Sequence, residues 1–467
     1  MSAPAVTDAP ETGQSQPRKR RGTELVLVVA ALVVGIGAYV TAELGYNGEV
    51  PDNLVTVAGG FVVLALVAHL AVRFFAPYAD PVLLPLVVML NGLGLAMINR
   101  LDLDLDDAAV PAGPFAGQQV AWTMIGVVAF VAVLAVIRDH RRLQAYTYTL
   151  GLVAIVLLLL PLAPGLGTEI NGARIWISVG PLGFQPGEIA KICLVVFFAG
   201  YLVVKRDALA LAGRRLLAID LPRGRDLGPI LGAWLVSLGV LVFQKDLGSS
   251  LLFFGLFVVM LYVATERVGW IVVGGLLFVA GAWFGYLAFP HVQDRVTGWL
   301  DPFSDPDGQY FQIVQGLYGL AFGGMVGTGL GQGDPTQTPF SYSDFIVASL
   351  GEELGLAGLM AIIVVYGLIV ERGLRVALLC RDAFGKLLAT GLAITFALQV
   401  FVVVGGVTRL IPLTGLTTPF LSYGGSSLVA NWAIIGLLLR ISHVTRRPTP
   451  QVAPMRPDDA TQVVKLR

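Results

Sequence analysis

Three carboxylates stand where a membrane-spanning helix is predicted to begin, in the stretch SYSDFIVASLGEELG. Asp344 is the last polar residue before an apolar run, and Glu352 and Glu353 follow about 12 Å further along a helix that rises 1.5 Å per residue. A helix N-cap explains one such carboxylate but not three. A carboxylate can also take a proton from a hydroxyl group. Asp344 is therefore either a helix cap or a candidate general base.

A second group of charges lies in FQPGEIAK, at the predicted start of another helix. Pro186 suits the first turn, and Glu188 suits the positive end of the helix dipole. Glu188 and Lys191 share one helix face because they are three residues apart. Lys191 precedes the apolar run ICLVVFF, where an isolated charge is costly. Lys191 and Glu188 are therefore candidate ligand-binding residues, as is Arg174 in the preceding loop.

Two more segments add polar groups at the same predicted side of the membrane. FQKDLGSS joins two apolar runs with almost no loop. There Asp246 is either an N-cap or a site residue, and Lys245 either extends to the lipid headgroups or binds a ligand. The segment 408–427, which contains Arg409, is rich in Pro, Gly and hydroxyl residues. Such irregular backbone must be buried in protein or line a wet cavity.

Together these segments predict one polar cavity that opens outward and places carboxylates beside cations. Cations suit a phosphate-bearing ligand, and a membrane-embedded cavity suits a ligand with a lipid tail. The residues alone therefore predict an outward-facing site for a phosphorylated lipid.

The composition requires a membrane setting for this site. Of 467 residues, 56% are hydrophobic and only 13% are charged, against about 25% charged in soluble domains. The net charge is zero, so no nucleic-acid partner is indicated. Two isolated cysteines and four scattered histidines indicate neither a disulfide framework nor a metal cluster.

The chain is predicted to be all-α, with about twelve transmembrane helices. The predicted spans lie near 24–44, 53–76, 80–99, 118–137, 145–164, 186–204, 228–244, 247–264, 268–289, 345–370, 386–407 and 423–443. Alternate connections are basic, which places both termini in the cytoplasm by the positive-inside rule.

Four regions follow from this pattern. Residues 1–22 form a basic cytoplasmic tail, 23–79 two additional helices, 80–445 a ten-helix core, and 446–467 a disordered cytoplasmic tail. A large extracytoplasmic loop is expected over 290–344, with a short helix over 310–324. The loop's Gly-rich GTGLGQG lacks the Lys-Ser/Thr ending of a nucleotide loop, and its DPFSDPDG lacks the closing Glu of a calcium loop.

The sequence resembles the SEDS family, the polytopic proteins of bacterial shape, elongation, division and sporulation. The resemblance covers about 80–445 and rests on six motifs in the family's order and spacing: NGARIWI, FQPGEIAK, QKDLG, DPFSDPDGQYFQIVQ, SDFIVASLGEELG and GLTTPFLSYGGSS. Within the family, chain length and the long basic loop expected at the cytoplasmic face, near 205–227, are closer to the RodA branch than to the FtsW branch.

The resemblance implies a peptidoglycan glycosyltransferase that polymerises lipid II on the outer face of the plasma membrane. Members work with a class B penicillin-binding transpeptidase, in contact with membrane lipids. Asp344 occupies the position of the family's essential Asp. Glu352 and Glu353 match its paired acids, and Glu188 and Lys191 match its QPSE-x-x-K pattern.

Some positions depart from the family pattern. Gly187 replaces the usual Ser, Lys245 replaces a common Pro, and Tyr342 replaces the usual His before the catalytic motif. Ile175 stands where many members have Arg, with Arg174 one place earlier, which weakens the case for Arg174 as a phosphate contact.

The expected reaction is a single inverting displacement in which Asp344 takes the proton of the attacking hydroxyl. The candidate diphosphate contacts are Lys191 and Arg174, then Lys245 and Arg409. Glu188 would orient Lys191, while Glu352 and Glu353 would support the cavity's hydrogen bonds or tune Asp344. A divalent cation, Mg²⁺ or Mn²⁺, could assist, although the sequence shows no recognisable set of metal ligands. No organic cofactor is expected. The alternatives are an FtsW-like polymerase, a lipid II flippase or transporter, and an inert scaffold.

Overall fold

The computed structural model describes residues 19–107, 115–170, 173–179, 182–210, 212–216, 219–222 and 227–448. Most of the predicted N-terminal tail and nearly all of the predicted C-terminal tail lie outside this part of the chain. The described helices are α1 (Arg21–Asn47), α2 (Leu54–Phe75), α3 (Leu83–Asp107), α4 (Phe115–Val136), α5 (Thr147–Leu159), α6 (Pro186–Ala210), α7 (Gly228–Gly239), α8 (Leu247–Thr265), α9 (Gly269–Ala288), α10 (Pro290–Leu300), α11 (Phe311–Gly323), α12 (Ile346–Leu379), α13 (Ala383–Val407) and α14 (Gly425–Arg446).

The predicted polytopic helical architecture is confirmed. In the described part of the chain, eleven helices are long and apolar enough to cross a membrane. The one remaining predicted span, the seventh in chain order, is Gly228–Gln244, where α7 continues into a π-helical turn, Val240–Gln244. At 1.5 Å per residue this shorter segment measures about 25 Å, slightly less than the hydrocarbon core.

Helices α10 and α11 form most of the long connection between α9 and α12. The helix predicted over 310–324 is present as α11, which packs along the first half of α12. We call the end of the bundle where this connection lies the cavity end. The opposite end carries the connections α4–α5 and α12–α13.

Two small antiparallel sheets were not predicted. Strands β1 (Gly167–Ile170), β2 (Ala173–Val179) and β3 (Leu182–Phe184) form a sheet before α6 at the cavity end. Strands β4 (Ala212–Leu216) and β5 (Ile219–Pro222) pair after α6. Their short strands carry too little alternation for a sequence pattern to reveal them.

Helix α12 is broken at Gly355, where the backbone has φ 68° and ψ −174°. The break frees backbone groups that a regular helix would pair internally. Residues 324–334, which follow α11 and which we call the Gly-rich connection, fill the gap. Leu356 N donates to Gly324 O at 2.9 Å, and Ala357 N donates to Met325 O at 3.0 Å. Broken helices persist at membrane depth only when other protein groups satisfy them in this way.

The two N-terminal helices are joined to the rest of the bundle at both ends. At the opposite end, Arg21 bonds Glu24 and Ala79 O, and Glu24 also contacts His69 Nδ1 at 2.8 Å. Nearby, Arg446 of α14 pairs with buried Asp80 at 2.5 Å. At the cavity end, α1 lies against the Gly-rich connection so closely that a Cβ on Gly45 would be 2.1 Å from Leu330 O.

Candidate active site

One cavity of about 750 Å³ collects most of the polar segments singled out in the sequence. Its walls come from the start of α4, strand β2, the starts of α6 and α8, helices α10 and α11, the turn before α12, and the irregular segment before α14. Asp344, Glu188 and Lys245 all line it. The predicted juxtaposition of carboxylates and cations is therefore present for these three residues.

Asp344 sits in a turn that the α13–α14 connection holds in place. Ser422 Oγ donates to Ser343 O at 2.6 Å, and Tyr423 N donates to Tyr342 O at 2.7 Å. The next residue, Phe345, is buried against Gly316. Helix α12 begins only at Ile346, and no side chain caps it. Asp344 is therefore not a helix cap, and it lines the cavity.

The surroundings of Asp344 suit a group that exchanges protons. Burial raises the pKa of Asp344 to about 6, while backbone amides and the Arg295 guanidinium oppose the rise. A general base works best when its pKa lies close to the working pH. With this pKa, Asp344 is mainly ionised at neutral pH and can still take up a proton at a pH close to neutral.

Arg295 of α10 is the cation that the sequence reasoning missed. It lines the cavity, interacts electrostatically with both Asp344 and Asp246, and donates from Nη1 to Leu413 O at 2.8 Å. The available signal was its place in a short polar helix just before DPFSDPDG. Only the fold brings that helix under the α13–α14 connection, so spacing alone gave no reason to select Arg295.

Glu188 and Lys191 form a buried relay rather than two cavity contacts. Lys191 Nζ donates to Glu188 Oε2 at 2.7 Å and to Gln399 Oε1 at 2.9 Å. Gln399 in turn donates to Thr417 O at 2.8 Å. Lys191 is only 1% exposed, whereas Glu188 and Thr417 reach the cavity wall. The contacts thus support Lys191 as the group that orients Glu188, the reverse of the expected order.

Lys245 and Asp246 occupy the tight connection between the π-helical turn and α8. Asp246 accepts a bond from Ser249 N at 2.9 Å, so it is the N-cap of α8, and it also lines the cavity. Lys245 adopts a left-handed backbone conformation with φ 56°. Its ammonium lies 3.8 Å from Glu169 of β1, and both side chains are about half exposed. Lys245 is therefore an accessible cation at the cavity wall.

Besides Lys191, two further predicted cations are not among the residues that line the cavity. Arg174 lies on β2, and its neighbours Ala173 and Ile175 line the cavity. Arg409 donates to Trp299 O and Leu300 O, while Trp299 Nε1 donates to Arg409 O at 3.0 Å. Arg409 thus ties the end of α10 to the α13–α14 connection. Its predicted diphosphate contact, like that of Arg174, gains no support from this placement.

Glu352 and Glu353 hold the Gly-rich connection instead of lining the cavity. Glu353 accepts bonds from Arg100 Nε at 3.1 Å and Gly331 N at 3.0 Å. Glu352 accepts from Asp334 N at 2.7 Å. These contacts favour the supporting role among the two alternatives that the sequence left open.

A divalent cation would find carboxylates in the cavity but no ready-made ligand group. Among the described residues, three donors close enough to share one ion occur at one place, which lies at the opposite end of the bundle. Mg²⁺ is commonly held by one or two carboxylates together with substrate phosphates. The cavity carboxylates fit an ion that arrives with a phosphorylated ligand, and this role stays a prediction.

Comparisons with known proteins match the whole core. The family model described as FTSW_RODA_SPOVE, cell cycle protein, matches residues 81–447. The peptidoglycan glycosyltransferase RodA of Mycobacterium tuberculosis is 51% identical over 430 residues, covering 92% of each chain. The stage V sporulation protein E of Bacillus subtilis is 34% identical over 374 residues, covering 79% of this chain and 98% of its own.

Solved structures agree with this match. The chain resembles one from a peptidoglycan synthase complex that coordinates polymerization and crosslinking, with a TM-score of 0.61, 28% identity, and coverage of 79% of this chain and 99% of that one. A mutant RodA of Thermus thermophilus gives a TM-score of 0.54 at 27% identity, with the same coverage. This chain therefore belongs to the FtsW/RodA/SpoVE family of polytopic membrane proteins.

Proposed function

We propose that this protein is a RodA-type peptidoglycan glycosyltransferase that polymerises lipid II. The observation that carries the proposal is the Asp344 carboxylate, whose pKa burial raises to about 6, in a cavity that also presents Arg295 and Lys245. This arrangement occurs in a chain that is 51% identical to proteins named peptidoglycan glycosyltransferase RodA. The membrane setting suits a substrate with a long lipid tail.

The chemistry needs a base at one reactant and cations at the other. Asp344 takes the proton of the acceptor sugar's 4-hydroxyl while the oxygen of that hydroxyl attacks the anomeric carbon of the donor. The bond from that carbon to the diphosphate breaks, and its electron pair stays on the leaving oxygen. Arg295 and Lys245 stabilise the charge that develops there. One displacement converts the α-linked donor into a β-linked product.

The remaining predicted residues act indirectly in this proposal. Lys191 orients Glu188 at the cavity wall through the relay to Gln399. Glu352 and Glu353 hold the Gly-rich connection that lies between α11 and α12. A divalent ion, Mg²⁺ or Mn²⁺, would add positive charge at the diphosphate when bound.

The cellular setting follows from charge and from the relatives. The positive-inside rule supports cytoplasmic termini and a cavity at the outer face of the plasma membrane. A structural neighbour belongs to a peptidoglycan synthase complex, which supports a class B penicillin-binding transpeptidase as partner. Identity of 51% to RodA proteins, against 33% to an FtsW of Geobacter, favours cell elongation over division.

The test is a gel assay for glycan chains made by the purified full chain from lipid II, with a divalent cation and the cognate transpeptidase present. Asp344→Asn should lower the rate about 10²–10⁴-fold, because the base is lost. Asp52→Asn, an exposed substitution of the same kind at the α1–α2 connection, should leave the rate unchanged. Thermal unfolding of both variants verifies that they fold.

Polymer formation by Asp344→Asn at the normal rate would remove Asp344 from the mechanism. If the wild-type protein makes no polymer but moves labelled lipid II across the membrane of vesicles, the transporter alternative would replace the proposal. Normal growth of a strain that carries Asp344→Asn at normal protein levels would favour a scaffold.

A further inference from the structure

Three side chains with metal-binding atoms meet at the opposite end of the bundle from the cavity. His140 begins a 3₁₀ turn, His140–Tyr146, in the α4–α5 connection. Cys380 and Asp382 lie in the α12–α13 connection. One ligand atom from each of the three lies within 4.8 Å of the others. His140 is about half the chain away from Cys380 and Asp382 in the sequence, so only the fold brings it to them.

The contacts converge on one oxygen. Asp382 Oδ1 caps α13 through Gly385 N at 2.7 Å. Its other oxygen, Oδ2, lies 3.0 Å from His140 Nε2 and 3.3 Å from Cys380 Sγ. Arg141 Nε lies 3.4 Å from the same oxygen, but its side chain is 55% exposed and can move away. One nitrogen, one sulfur and one oxygen thus lie close enough together to share one ion.

The spacing of these donors is close to that of a zinc site. Zn²⁺ binds His nitrogen and carboxylate oxygen at about 2.0–2.2 Å and thiolate sulfur at about 2.3 Å in tetrahedral geometry, which puts ligand atoms roughly 3.3–3.8 Å apart. The observed 3.0 Å and 3.3 Å separations need only small shifts to reach these values. A mixed N, S and O donor set suits this borderline-soft ion.

Two neighbouring features complete the arrangement. Gly385 leaves room for the donors, because a Cβ there would lie 2.3 Å from His140 Nε2 and 2.7 Å from Cys380 Sγ. His140 is fully buried, and its second nitrogen, Nδ1, has no hydrogen-bond partner. The nearest carboxylate to Nδ1 is Asp139 Oδ1 at 3.8 Å. Metal-bound histidines commonly direct their second nitrogen at such a carboxylate.

We propose that His140, Cys380 and Asp382 bind a Zn²⁺ ion that joins the α4–α5 and α12–α13 connections. Binding releases the proton of the Cys380 thiol and the Nε2 proton of the His140 imidazolium, so that Nε2 binds the metal while Nδ1 keeps its proton on the side of Asp139. A water molecule takes the fourth position, as in other sites with three protein ligands. The thiolate and the carboxylate balance the charge of the ion. This site is independent of the cavity and of the polymerase proposal.

The experiment uses Co²⁺ as a spectroscopic probe for Zn²⁺. The purified full chain, carried on a tag without histidines, is titrated with Co²⁺ in detergent. We expect one ion per chain, a thiolate-to-cobalt charge-transfer band, and loss of that band when Zn²⁺ is added. Cys380→Ser should abolish the band. Asp139→Asn should weaken binding by about tenfold or more, as losses of second-layer carboxylates do.

Cys193→Ser is the matched control, because Cys193 is the chain's other cysteine and lies buried in α6. It should keep the band and the stoichiometry of the wild type. Absence of the band in the wild type would overturn the proposal and leave a hydrogen-bonded Cys–Asp–His cluster. A band that survives in Cys380→Ser, or one that disappears in Cys193→Ser, would overturn it equally.

Discussion

Asp344 and Arg295 illustrate how two opposing effects set the protonation of one carboxylate. Burial favours the neutral acid, while the nearby guanidinium favours the carboxylate. The result is a pKa raised to about 6, not to neutrality or above. Such a pKa suits the general base of the proposed mechanism, which must be ionised at the start of each turnover and accept a proton during it.

This balance predicts an acidic limb in the rate. Because the base must be ionised, glycan synthesis should fall as the pH drops through about 6. Arg295→Gln removes the charge that opposes the rise in pKa, so the limb should move to higher pH while the maximal rate also falls. The measurement is the initial rate of glycan synthesis at a series of pH values for both proteins.

A control variant distinguishes the titration of Asp344 from that of another group at the cavity, His291. His291 lines the same cavity, and burial lowers the pKa of its imidazole. His291→Gln should leave the limb where it is in the wild type. If His291→Gln moves the limb and Arg295→Gln does not, His291 is the group that controls the rate.

At the scale of the element, the break in α12 depends on a single glycine. Gly355 has φ 68° and ψ −174°, a conformation essentially restricted to glycine. A Cβ at this position would lie 2.2 Å from Gly327 N and 2.6 Å from Val326 C. The break thus needs both the freedom of the backbone and the absence of a side chain.

Gly355→Ala should destabilise the protein by at least about 1–3 kcal/mol, the usual cost of a strained residue, with steric overlap in addition. Thermal unfolding in detergent measures the effect. Gly367→Ala is the matched control in the same helix, where a Cβ would meet nothing within 4 Å. Because alanine favours helices, the control should be neutral or stabilised by up to about 1 kcal/mol. Equal stability of the two variants would show that the break tolerates a side chain.

At the scale of the whole molecule, Arg100 links parts that are distant in sequence. Its guanidinium is 1% exposed, pairs with Glu353 of α12 at 3.1 Å and with Asp104 at 2.9 Å, and donates to Gly333 O at 2.8 Å. It also lies 4.5 Å from the centre of the Tyr46 ring at the end of α1. The N-terminal pair of helices, the core and the Gly-rich connection thus meet at one cation.

Glu353→Gln should therefore lower the free energy of unfolding by about 1–3 kcal/mol, because Arg100 Nε and Gly331 N lose a charged acceptor while Arg100 keeps its pair with Asp104. Rate per folded molecule should change far less than in Asp344→Asn, because Glu353 does not line the cavity. Thermal unfolding and the glycan gel assay, run on the same preparation, separate the two effects. A near-complete loss of rate with unchanged stability would instead give Glu353 a role in the reaction.

The control for this prediction is Glu371→Gln at the opposite end. Glu371 pairs with Arg372 at 3.0 Å, and its side chain is 49% exposed. Exposed pairs contribute only about 0–1 kcal/mol. The control variant should therefore unfold close to the wild-type temperature.

The sequence by itself determined the helical spans and the family, together with Asp344, Glu188 and Lys245 as cavity residues. Apolar runs of about 20 residues indicate spans regardless of how these pack, and short motifs in fixed order mark the segments that carry the chemistry. These features are local, so no contact between distant segments is needed to read them.

Only the tertiary structure decided which charges face each other. Arg295, Arg409 and Lys191 are all cations near the predicted cavity, yet their places differ. Arg295 lines it, Arg409 ties α10 to the α13–α14 connection, and buried Lys191 donates to Glu188 at 2.7 Å. The same holds for Cys380, which meets His140 from the other half of the chain. The energy of a charge depends on which neighbours replace its water, and that is fixed by packing between helices rather than by spacing along the chain.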